Sequence, residues 1–92
     1  MIIQLDNNSL FNTFGVNSFS EFEENIQTMA PSMVEYYLSD LSNSISESSY
    51  LNKSNIQETI TIDEYFIYLD YNNDIYLEFI EKSSNYETES LW

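Results

Sequence analysis

The chain has 92 residues, 42% hydrophobic and 16% aromatic, which suits one small acidic domain over residues 1–92 and is too aromatic for a disordered acidic tail. Sixteen Asp and Glu face two basic residues, Lys53 and Lys82, for a net charge of -14, so direct binding to nucleic-acid phosphate and docking on an anionic membrane are both excluded. No Cys or His is present, which removes disulfides, thiol redox chemistry and the usual ligands of zinc, haem and iron–sulfur clusters; no cofactor is expected.

The opening, MIIQLD, reads as a short apolar strand. Next, NNSLFNTFGVN is rich in Asn and holds the one Gly, Gly15; it reads as a loop anchored by Leu10, Phe11, Phe14 and Val16. Ser18 and Glu21 have the spacing of a capping box. The helix that follows places Phe19, Phe22, Ile26 and Met29 on one face. Glu21 and Glu24 point away from that face, with Glu23 on its shoulder, and acids in the first turn suit the positive end of the helix dipole.

Pro31 opens a second helix. Val34, Tyr37, Leu38, Leu41 and Ile45 form its apolar stripe, Glu35 and Asp40 flank the stripe on opposite sides, and Tyr36 faces outward. The Ser- and Asn-rich stretch SNSISESSYLNKSN is a loop joining the two halves of one fold. No repeat is visible.

From Ile56 the period changes to two, rich in Ile, Thr, Tyr and Phe. Ile56, Ile60 and Ile62 share one phase, a bend or bulge is expected near Asp63 and Glu64, and YNND is a turn in which Asn tolerates positive φ. The tail SNYETESLW has no pattern of its own, and Trp92 is a candidate for docking on a neighbour. The fold class expected is α+β: two helices packed on a small antiparallel β-sheet, a hairpin or meander in the C-terminal half.

DYNNDIYLEFIE, residues 70–81, carries nearly the ligand spacing of a calcium-binding helix–loop–helix. Position six of such a loop needs Gly for its sharp turn, and here it is Ile75. The flanks alternate like strands, so Glu78 and Glu81 would point to opposite faces. A solvated hairpin turn is the better reading. Carboxylate pairs capable of acid–base chemistry arise by chance among sixteen acids, and so short a chain has little room for a deep pocket. A non-enzyme is expected. No apolar run of about 18 residues occurs, so no membrane span is expected. The start lacks the basic region of a signal peptide, which points to the cytoplasm.

The charge exceeds the magnitude of about 2–8 that keeps a small domain soluble, and its self-repulsion costs stability. Its natural use is imitation of another polyanion. At about 1.7 Å of duplex per charge, 14 net charges correspond to about 24 Å of DNA. A rigid fold holds carboxylates about 5–6 Å apart on a helix and about 6.6 Å apart along a strand, in rows like phosphates. The candidate contact residues are helix-borne Glu21, Glu24, Glu35 and Asp40 and hairpin-borne Asp70, Asp74, Glu78 and Glu81, each meeting Lys or Arg of a basic DNA-binding protein.

In size, acidity and the run of the chain, especially NTFGVNSFSEF and APSMVEYYLSDL, the sequence resembles the anti-restriction nuclease (Arn) proteins of tailed phages. The resemblance implies a homodimeric DNA mimic that occupies the DNA-binding site of the host restriction endonuclease McrBC, acting in the host cytoplasm. Charge alone leaves open an acidic antitoxin or immunity protein that neutralises a basic toxin. A calcium-binding module is the weakest of the three readings.

Overall fold

The computed structural model describes residues 1–62 and 64–80, and it has an α+β fold. Strand β1 (Ile2–Leu5) leads into helices α1 (Asn7–Phe14), α2 (Phe19–Gln27) and α3 (Pro31–Ser42). A single 3₁₀ turn (Lys53–Asn55) precedes the strands β2 (Ile56–Ile62), β3 (Tyr65–Asp70) and β4 (Ile75–Phe79). The sheet is antiparallel, in the order β1-β4-β3-β2. The C-terminal meander is thus completed by the N-terminal strand, which pairs with β4 through Ile3 opposite Leu77.

Alternation along the strands sorts the side chains onto two faces. Ile3, Leu5, Tyr65, Ile67, Leu69, Ile75 and Leu77 line the face under the helices. Leu10 and Phe14 of α1, Phe19, Phe22 and Ile26 of α2, and Val34 and Leu38 of α3 close over it. Full burial of a side chain such as Phe22 or Leu38 contributes roughly 2–3 kcal/mol, so this layer supplies most of the driving force for folding. Ser39 Oγ and the Tyr65 hydroxyl, 3.0 Å apart, add a polar tie between α3 and β3.

The stretch NNSLFNTF is a helix rather than the expected loop. Asn, Ser and Thr are indifferent helix formers, and they mask the short stripe of Leu10, Phe11 and Phe14. Capping overrides propensity here. Asp6 takes the N-cap, its carboxylate accepting from the Ser9 amide at 2.9 Å. Gly15, at φ 70, turns the chain out. The Val16 amide then donates to the Phe11 carbonyl and the Gly15 amide to the Asn12 carbonyl, the pair of bonds that closes a Schellman end. The expected helices α2 and α3 are present, capped by Ser18 and opened by Pro31. Ile45 lies beyond the end of α3 and still packs on the core.

Ile56 does not share a face with Ile60 and Ile62. The register shifts between Ile56 and Glu58, so that two residues of β2 advance against one of β3. Such a bulge flips every residue beyond it. Ile60 and Ile62 pack toward the helices, and Ile56 packs with Tyr68 on the opposite face. The bulge therefore sits at the start of β2; at its other end β2 stops at Ile62 and β3 starts at Tyr65.

That opposite face is crossed by the segment after α3. The Ser49 amide donates to the Ile2 carbonyl on the β1 edge. Leu51 is buried against Tyr68 and Tyr76, and the Tyr71 amide donates to the Asn55 carbonyl beside β2. The loop expected between the two halves is thus a strap from one sheet edge to the other.

Candidate functional site

The eight candidate acids divide by environment. On α2, Phe19, Phe22 and Ile26 turn inward, which leaves Glu21 and Glu24 exposed one turn apart. Glu21 also folds back on the helix start. Its Oε1 accepts from the Asn17 amide at 2.9 Å while Ser18 Oγ accepts from the Glu21 amide at 3.2 Å. This is the capping box expected from spacing, with the carboxylate reaching one residue further back. On α3, Asp40 is exposed, and Glu35, on the other flank of the stripe, is half-buried. The two do not form one row.

The hairpin acids are not an outward row. Asp70 is 4% exposed. Its Oδ1 accepts from the amides of Asn72 and Asp74, each at 2.9 Å, and its own amide donates to the Asp74 carbonyl. With Asn73 at φ 69, these bonds build the β3–β4 turn. Asp70 is therefore a turn-forming residue, because a short carboxylate at this position reaches its own backbone two and four residues on. Asp74 is half-buried at the start of β4. Glu78, half-buried on the strapped face, accepts a 2.6 Å hydrogen bond from the Tyr68 hydroxyl and lies 3.5 Å from Lys53 Nζ. It is neutralised within the fold rather than offered outward. Glu81 lies outside the described residues, as do Asp63 and Trp92.

Other acids stand outward without having been singled out by pattern. Asp6, Glu47, Glu58 and Glu64 are exposed. Asp6 was legible in principle, since Asp ahead of an amphipathic octet is an N-cap signal. Glu58 was not, because its side depends on the bulge.

Two tyrosines record how the strapped face treats charge. Burial, then the hydrogen bond to Glu78 and the nearness of its negative charge, push the Tyr68 phenol up to about 12. Burial also raises Tyr76, helped by the charges of Asp70 and Asp74 and by a hydrogen bond to Asp70. Lys53 lies 5.2 Å from the centroid of the Tyr68 ring, so one ammonium serves a carboxylate and an aromatic face together.

A cleft of about 260 Å³ opens where the starts of α1 and α2 meet the β3–β4 turn. Phe11, Phe19, Leu69 and Ile75 line it, with Asn7, Asn17, Ser18 and Asn73 also on its wall. None of these side chains titrates. The segment of calcium-like spacing runs from β3 through the turn into β4, with strands rather than helices on both sides. Among the described residues, no helix is long and apolar enough to cross a membrane.

Exposed carboxylates attract cations weakly one by one, at about 1 kcal/mol for a pair 4 Å apart in water. Several on one scaffold give long-range attraction and fast, salt-sensitive encounter. Such a surface is chemically able to receive Lys and Arg side chains. Comparison with protein-family models, with curated proteins and with solved structures finds no match to this chain.

Proposed function

We propose that the chain is a non-catalytic inhibitor that occupies the DNA-binding surface of a basic protein, presenting carboxylates where that surface expects phosphates. The observation that carries this reading is a charge imbalance at the surface. Among the described residues Asp6, Glu21, Glu24, Asp40, Glu47 and Glu58 are exposed, while the one lysine, Lys53, is engaged by Glu78. Such anions remain in water or meet a cationic partner, since an unpaired carboxylate is too costly to bury. With the resemblance to the anti-restriction nuclease proteins, the favoured target is a McrBC-type restriction endonuclease in the host cytoplasm, and the active species a homodimer.

The test is cleavage of modified duplex DNA by that nuclease, titrated with the chain. Inhibition that is overcome by added uncleavable duplex supports mimicry. Inhibition indifferent to added duplex points to the neutralisation of one specific basic protein, as an antitoxin does. The double variant Glu24→Lys with Glu47→Lys, at two exposed sites, should weaken inhibition while leaving the melting temperature nearly unchanged.

A further inference from the structure

Tyr36 stands 66% exposed on the outward face of α3, yet its ring is braced. It meets the Tyr37 ring edge-on, with centroids 5.6 Å apart. Tyr37 meets Phe14 at 5.5 Å, and Phe14 meets the fully buried Phe22 at 5.0 Å, both again edge-on. A relay of four rings thus ties an exposed phenol to the centre of the core. One turn before it, Met33 is 45% exposed. One turn after it, Asp40 is exposed. Side chains three and four apart on a helix are neighbours, and they lean toward the helix start, so Asp40 inclines toward Tyr36.

Scattered apolar residues on a surface need no explanation. An exposed ring in edge contact with Tyr37, with Met33 one turn before it and Asp40 one turn after it on the same helix, is a more specific arrangement. A guanidinium fits it: its plane stacks on the ring and its N–H fork donates to the carboxylate. A lysine ammonium is more strongly hydrated and has no plane to stack. A tyrosine has only two side-chain torsions to order, so binding it sacrifices little rotamer freedom, as suits an interface anchor.

We propose that the Met33–Tyr36–Asp40 ridge of α3 is an arginine-receiving contact surface, and that an arginine of the partner's basic groove is its occupant. This deepens the mimicry reading and rests on it for the partner, with the negative surface supplying the charge complementarity.

The test is calorimetry of the full chain against nona-arginine and nona-lysine peptides at fixed salt, in parallel with the nuclease assay above. The readout is how far each variant changes the arginine-over-lysine preference. Tyr36→Leu should shrink that preference about two- to fivefold, the effect of a cation–π contact at an exposed site. Tyr36→Phe should preserve it, and Asp40→Asn should narrow it. A preference unchanged in Tyr36→Leu overturns the proposal while leaving the mimicry reading intact. A nuclease unaffected by the chain overturns mimicry, yet a Tyr36-dependent preference would still support an arginine-receiving ridge. If Tyr36→Leu instead changes the mass measured by sedimentation, a second copy covers the ridge and the proposal fails.

Discussion

Tyr68 on β3 donates a 2.6 Å hydrogen bond to Glu78 on β4, across the face of the sheet turned away from the helices. The bond does three things at once. It satisfies a buried phenol, it holds a carboxylate on the strapped face, and it keeps that carboxylate 3.5 Å from Lys53 Nζ. An acid that the sequence pattern offers to a partner is thereby used inside the fold. The consequences can be measured.

Alkaline unfolding should report this bond. The Tyr68 phenol is raised to about 12, first by burial and then by Glu78. An unfolded tyrosine titrates near 10. Between those values the unfolded state has lost its proton and the folded state has kept it, so stability falls as pH rises. The contribution is fully present below pH 10 and lost through pH 12. In urea titrations Tyr68→Phe should flatten the decline over that window. A variant declining as steeply as the parent would show that Tyr68 is not its source.

Leu51 secures the strap, being 6% exposed and packed with Tyr68 and Tyr76. Leu51→Ala should cost about 2–3 kcal/mol, the low end for a buried Leu because a loop can partly collapse into the space. Hydrogen exchange of the Ser49 and Tyr71 amides, which tie the strap to Ile2 and Asn55, should accelerate in step. Exchange unchanged at those two amides would mean that the strap is held elsewhere.

Asp70 and Glu24 should separate folding from binding. Asp70→Ala removes the acceptor of two turn amides and should destabilise by about 1–3 kcal/mol. Glu24→Lys, at an exposed site, should change stability by less than about 0.5 kcal/mol and weaken partner binding. The check is denaturant unfolding alongside nuclease inhibition for both variants. Equal loss of inhibition at equal residual fold would place Asp70 on the contact surface after all.

Salt should act in opposite directions on the two processes. Screening reduces self-repulsion among the acids, so the melting temperature should rise between about 0.05 and 0.5 M salt. Over the same range the affinity for a basic partner should fall. A melting temperature that falls with salt would contradict the picture of a net-repulsive surface.

The core of the fold was legible because burial and periodicity are local. Phe19, Phe22 and Ile26 announced α2, Val34 and Leu38 announced α3, and the alternation from Tyr65 to Phe79 announced the hairpin. Glu21, Glu24 and Asp40 follow from those stripes as their outward complements. α1 escaped because two caps, Asp6 and the turn through Gly15, stabilise residues of modest helix propensity.

By itself the sequence determined the charge imbalance, the α+β class and the outward face of each amphipathic helix, since these depend on residue type and short-range spacing. Only the tertiary structure decided which carboxylates are available. Asp70 is turned onto its own backbone, Glu78 is held between Tyr68 and Lys53, and Ile56 is carried to the opposite face by a bulge. The reason is physical: a carboxylate's exposure depends on which donors the fold brings within hydrogen-bonding reach. For Glu78 those donors come from another strand and from a strap far away in the chain.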